Sequence, residues 1–167
     1  MDEAVRQITP VPLTRDAWAP FGWLPVPDTD PGDGDHRLEF AWQDVHVNLI
    51  GHRRDEVPEI SGGLRCDVLF RHATHTQVVM PLDVAAVVVV APAGLAMRAP
   101  ADVAEVEAFV LDRLDPIVLH RGTWHWGPYP IGADSVELFN VQGLRYREDN
   151  DHVDLAALGA PIDVLID

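Results

Sequence analysis

Two short clusters hold the residue types of acid–base and metal chemistry: Arg71-His72-Ala73-Thr74-His75-Thr76-Gln77 and His120-Arg121-Gly122-Thr123-Trp124-His125-Trp126. Imidazole exchanges protons near neutral pH and ligates divalent metals, and guanidinium binds carboxylates in plane. A buried imidazole needs a partner for each ring nitrogen, so an ordinary core does not gather several. Both clusters lie in apolar, β-branched sequence that reads as strands, and they are some fifty residues apart. The arrangement predicts one pocket assembled from two hairpins. Period-two alternation sets His75, Gln77 and Val79 on one strand face, and His72 joins them if the chain bends near Ala73-Thr74. Gly122 permits a sharp turn between His120 and His125. His72, Gln77, His120 and His125 are therefore expected to converge on one cavity, with Arg71 or Arg121 at its rim. Neutral imidazoles and an amide oxygen from His72, His75, Gln77 and His125 would suit one divalent ion of intermediate softness: nickel, manganese, iron or zinc. No organic cofactor is expected. The plainer alternatives are that each histidine bonds a loop backbone and that each arginine sits in a surface salt bridge.

Composition narrows the partners. The 167 residues carry a formal charge of −15 and fit one domain spanning 1–167. Such acidity argues against nucleic acid and anionic membrane surfaces, both of which demand clustered cations. The twelve cations are all arginine, so Schiff-base chemistry is excluded, and guanidinium recognition of a carboxylate-bearing small molecule is favoured. One cysteine, Cys66, forms no internal disulfide, which points to a reducing cytoplasm. The N-terminal residues are charged, with no apolar targeting stretch after them. The longest apolar run, Val84 to Met97, is too short to span a bilayer and is interrupted by Pro92 and Gly94.

The elements that must position the clusters read as strands. Gly and Pro recur about every ten residues between β-favouring segments, the pattern of an all-β barrel or sandwich. Residues 43–50 alternate, with Val45, Val47 and Leu49 on one side. Residues 84–91 form a continuous apolar strand covered on both faces, and 136–142 form another strand. Helix signals are few: Thr14 as N-cap of a short helix to Ala19, a helix or strand over 102–109, and a terminal helix over 151–158 closed by Gly159 and Pro161. Residues 28–36 make an acidic, Gly-rich loop whose spacing does not match a calcium-binding loop, so a solvated loop is expected.

Several motifs resemble one family, the ureidoglycolate lyases. They are Leu69-Phe70-Arg71-His72-Ala73, Thr76-Gln77, Met80-Pro81-Leu82, and Leu119-His120-Arg121-Gly122-Thr123-Trp124-His125-Trp126, with an opening Pro12-Leu13-Thr14-Arg15-Asp16-Ala17-Trp18-Ala19-Pro20-Phe21-Gly22. Gly122-x-x-His125 also resembles the second half of the two-part cupin signature, and His72-x-x-His75-x-Gln77 is an imperfect first half. The resemblance implies a cupin-like β-barrel (a double-stranded β-helix) with a few short helices, a homodimer, and a reaction of purine catabolism downstream of allantoin. That reaction is the splitting of ureidoglycolate into glyoxylate and urea. In it His120 and His125 would serve as base or metal ligand and Arg71 or Arg121 would bind the carboxylate. Gln77 would hold the urea group, beside a wall of Phe70, Trp124 and Trp126. Four positions depart from the family pattern: Phe70 replaces an acid, Ala73 a proline, His75 a small residue and Trp126 a histidine.

Three functions follow from these residues. The retained His120-Arg121 and Trp124-His125 favour a ureidoglycolate lyase. Phe70 and Trp126 favour a divergent cupin enzyme acting on another small acid. A non-catalytic cupin that binds a ligand or only dimerises would show no turnover.

Overall fold

A computed structural model of the chain describes residues 5–27 and 36–167. The acidic loop expected at 28–36 lies, apart from His36, outside the described residues. In chain order the strands are β1 (Arg6–Ile8), β2 (Val11–Pro12), β3 (Gly22–Trp23), β4 (Val45–Arg53), β5 (Glu59–Ile60), β6 (Gly63–Cys66), β7 (Val68–His72) and β8 (Gln77–Pro81). They continue as β9 (Ala86–Ala91), β10 (Glu107–Leu111), β11 (Ile117–Leu119), β12 (Trp124–Pro130), β13 (Ser135–Gly143), β14 (Asn150–Asp154) and β15 (Ile162–Leu165). Among the described residues helix is limited to α1 (Arg15–Trp18) and two 3-10 turns, Arg54–Glu56 and Pro100–Glu105. This is the all-β architecture that the regular Gly/Pro punctuation predicts, and it is consistent with the cupin-like barrel that the family resemblance implies.

Three sheets form the layers. The central sheet runs β14-β7-β12-β9-β10-β2, the outer sheet β3-β11-β8-β13-β4, and a small sheet β1-β15-β6-β5. All six residues of β9 are buried, as its unbroken apolar run requires. Ala86, Val88 and Val90 pack with Val79, Ile117, Leu119, Val136 and Leu138 of the outer sheet. Val87, Val89 and Ala91 pack with Leu64, Cys66, Ile162 and Val164 of the small sheet. The central sheet is thus covered on both faces, and the space between it and the outer sheet has one apolar end and one polar end.

Local signals hold where no long-range pairing competes with them. Thr14 caps α1, its hydroxyl accepting from Ala17 N–H at 3.3 Å. Residues 100–111 divide into a 3-10 turn and then β10, so both readings of 102–109 are realised in sequence. The expected helix over 151–158 is absent. Asn150 to Asp154 instead pair with His72 to Val68 as the edge of the central sheet, because five residues of ladder outweigh a weak helical preference. Strand β4 follows its alternation, yet Val45, Val47 and Leu49 face outward and are 53–62% exposed.

The segment before β3 is fastened by aromatic packing. Trp18 meets Phe109 edge-to-face at 5.2 Å, and Phe21 lies 5.7 Å from the same ring. The Trp18 indole N–H donates to the Val118 carbonyl at 3.0 Å. Phe109→Ala is expected to cost about 3–5 kcal/mol, since the buried ring leaves a cavity between two sheets. Urea unfolding measures this, and a loss below ~1 kcal/mol would contradict the packing.

Candidate active site

Toward one end of the inter-sheet space the inward residues turn polar. On β13, Val136 and Leu138 give way to Asn140 and Gln142, and on β8, Val79 gives way to Gln77. Asn48 and His52 enter from β4, His72 and Phe70 from β7, and His125 and Tyr129 from β12. They enclose a cavity of about 270 Å³. The two sequence clusters meet here because Gly122 N–H donates to the His72 carbonyl at 2.7 Å. Gly122 holds φ +77°, a conformation that favours glycine.

The His72 and His125 rings lie 5.3 Å apart. His72 Nδ1 donates to the Asp149 carbonyl at 3.3 Å, and His125 Nδ1 to the Thr123 carbonyl at 3.1 Å. A carbonyl only accepts, so both rings carry their proton on Nδ1 and leave Nε2 as a free base. Burial, helped by the neighbouring His75, pushes His72 down to about 4. Burial and then His72 push His125 down to about 3. Both are neutral near pH 7. Burial pushes the Tyr129 hydroxyl up to about 12, so it remains a hydrogen-bond donor.

His75 is placed differently. It is 2% exposed and stacks on His72 at 4.6 Å and 19°. Phe40 covers it at 6.4 Å, and a Cβ on Gly143 would come within 2.7 Å of its Nδ1. Among the described residues neither of its ring nitrogens finds a hydrogen-bond partner, although Nδ1 lies 3.5 Å from Asp149 Oδ2. Burial lowers its pKa. Burial acts to raise the Asp149 carboxyl, but bonds from the Thr74 hydroxyl and the Thr74 and Ala73 N–H groups hold it below the usual range. The four ligands expected, His72, His75, Gln77 and His125, are not all brought together: His72, Gln77 and His125 line the cavity, and His75, stacked on His72, does not. Among the described residues no group of three or more His, Cys, Asp or Glu side chains is arranged to hold an ion.

The remaining expected residues separate. Gln77, Phe70 and Trp126 line the cavity. Trp124 is in the core, its indole N–H donating to the Leu95 carbonyl at 2.8 Å. The expected convergence does not include His120. With Arg121, Trp23 and Glu39 it lines a separate cleft of about 160 Å³. Neither arginine is among the residues lining the cavity. Arg71 points to the opposite strand face, 4.2 Å over the Trp124 ring and bonded to Asp151 at 2.9 Å. Arg121 donates to the Ala73 carbonyl at 3.0 Å. Sequence reasoning missed Asn48, His52, Tyr129 and Asn140. The alternation of β4 was the available signal, since placing Val45, Val47 and Leu49 outside puts Asn48 and His52 inside.

The lowered imidazole pKa values have a consequence for stability. Unfolded histidine binds a proton near pH 6.5, whereas folded His72 and His125 wait until about 4 and about 3. Within that window the unfolded chain holds more protons, so stability falls as pH falls. The melting temperature is expected to drop between pH 7 and pH 5, and His125→Gln should flatten part of the drop. An identical pH slope in the variant would contradict a buried, neutral His125.

Among the described residues no helix is long and apolar enough to cross a membrane. Among curated proteins, none matches the chain. Residues 36–165 match the sequence profile described as Ureidoglycolate lyase, a span that holds both clusters and every residue of the cavity. The chain belongs to the ureidoglycolate lyase family, whose members split ureidoglycolate into glyoxylate and urea.

Proposed function

We propose that the cavity performs this lyase reaction with His125 as the proton-transfer residue and His72 beside it as the group that orders the site. The observation carrying the reading is the paired, cavity-facing imidazoles with Nδ1 committed to backbone carbonyls. His125 Nε2 takes the substrate hydroxyl proton as the C=O bond of glyoxylate forms and the C–N bond breaks. The departing electron pair settles on nitrogen, and the same imidazole returns the proton there, releasing urea. The lowered pKa of His125 keeps Nε2 unprotonated near pH 7 and so open to the substrate hydroxyl proton. The protonated Tyr129 hydroxyl supports carboxylate binding, a role for which no arginine lines the cavity. Phe70 and Trp126 in the wall favour a second reading, a related acid with an apolar portion.

Glyoxylate release from ureidoglycolate tests the assignment. His125→Gln is expected to lower kcat by roughly 10²–10⁴-fold, the usual contribution of positioned acid–base catalysis. His120→Gln, in the separate cleft, should change it by less than about threefold. Comparable losses in both variants would overturn the assignment.

A homodimer is proposed through the outer face of the outer sheet. Val47 aligns with Val141 and Val78, and Leu49 with Phe139 and Met80, in two apolar rows across three strands. The first strand of that face, β4, is also a nine-residue sheet edge. Such a surface pairs with its own copy about a two-fold axis. Light scattering should give a dimer mass for the protein and a monomer mass for Leu49→Asp. The buried free thiol of Cys66 accords with a cytoplasmic setting.

A further inference from the structure

A chain of three side-chain amides runs across the outer sheet beneath the cavity. Gln77 Nε2 donates to Asn140 Oδ1 at 2.8 Å, and Asn140 Nδ2 donates to Asn48 Oδ1 at 2.8 Å. Asn140 is fully buried on β13, paired with Val79 on one side and Asn48 on the other. Gln77 and Asn48, the two ends, both line the cavity. Each amide has one donor end and one acceptor end. A head-to-tail chain of three must therefore leave one donor and one acceptor free at its ends. Reversing all three amides together exchanges the ends and preserves the pair. In the direction found, the free acceptor is Gln77 Oε1, which is buried and has no hydrogen-bond partner among the described residues. A buried acceptor without a partner is costly and calls for a ligand donor.

We infer that this amide chain is the recognition element for the ureido group, with Asn140 as the positioning residue that fixes the polarity of both ends. The inference rests on the proposed lyase reading and adds how the site selects its substrate class. A ureido group presents a carbonyl acceptor and terminal N–H donors side by side, the complement of one donor and one acceptor. An N-acyl group lacks the terminal N–H. A carboxylate lacks any donor and would meet Gln77 Oε1 unfavourably, so the chain also sets which end of the substrate lies against the outer sheet.

Calorimetric titration with two unreactive ligands tests this. N-carbamoylglycine and N-acetylglycine are near-isosteric and differ by an amino group in place of a methyl. The protein is expected to bind the carbamoyl compound roughly tenfold or more tightly, because a site built to accept a proton rejects the analogue lacking it. Asn140→Asp makes the central residue accept from both neighbours and leaves two acceptors at the ends. Gln77 Oε1 stays free in this variant, while the Asn48 end changes from donor to acceptor, so both ligands should bind roughly tenfold more weakly with the preference kept, and thermal melting reports the fold. Gln77→Met removes the acceptor end without burying a charge and should bring the ratio to within twofold. Equal affinity of the unmodified protein for the two ligands, no binding of either at millimolar concentration, unchanged affinity in folded Asn140→Asp, or a preference that survives in folded Gln77→Met would each overturn the inference. Ureidoglycolate turnover is measured in parallel. Turnover without ligand preference removes the amide chain and leaves the lyase reading, and ligand preference without turnover does the reverse.

Discussion

The hydrogen bond from Gly122 N–H to the His72 carbonyl holds the site together. It joins the turn before β12 to the end of β7 at the point where their ladder has narrowed to a single aligned pair, His125 opposite Phe70. Without it the two imidazole clusters would belong to neighbouring strands but to different depths of the inter-sheet space. The donor must come from a residue with φ +77°, so a side chain at position 122 would strain the backbone that carries it. The glycine matters through geometry, since a Cβ there would only touch Ala93 at 3.4 Å.

A second constraint is the satisfaction of buried polar groups. Asp149 receives the Ala73 and Thr74 N–H groups and the Thr74 hydroxyl, while its own backbone carbonyl receives His72 Nδ1. One residue thereby closes the β7–β8 connection, fixes the tautomer of a cavity imidazole and anchors the chain entering β14. This explains why 150–154 becomes an edge strand although 151–158 has helical character. The turn that Asp149 caps delivers the next residues directly beside β7. His75 is the residue this arrangement leaves over. It fills the gap between Phe40, His72 and Gly143, lowering the pKa of His72 by its proximity and supporting that ring by contact.

The fold was legible because its signals are local and repeated: Gly and Pro spacing, the unbroken apolar run of β9, and Thr14 before α1. The pairing of the two clusters was also legible, since imidazoles in strand sequence demand a shared polar site. What the sequence could not reveal is which face of a strand looks inward. Val45, Val47 and Leu49 are the apolar side of β4, yet the polar side faces the cavity, so the alternation that sets Asn48 and His52 apart from them marks site residues only once the inward face is known. The arginines failed for a related reason. Arg71 alternates with Phe70 and His72 and so must point away once those two face in. His120 precedes the Gly122 turn and lies beyond the strand that carries His125. Asn140 had no local signal, because its significance is its position between Asn48 and Gln77 across two ladders.

Phe70 shows how these constraints tune the chemistry. The family resemblance places an acid at this position, and a carboxylate opposite His125 would stabilise the imidazolium and raise its pKa. Phenylalanine instead desolvates the ring, and burial is the largest cause of the shift to about 3. Among the described residues no Asp, Glu or Arg lines the cavity, so a ligand carboxylate there meets amides, hydroxyls and neutral imidazoles rather than opposing charge. The chain as a whole carries −15, but charges beyond about 8 Å are largely screened at physiological ionic strength. An anion that enters is thus governed by the groups of the wall. In such a wall selectivity falls to the direction of hydrogen bonds, which is what a polarised row of amides supplies and a cation would not.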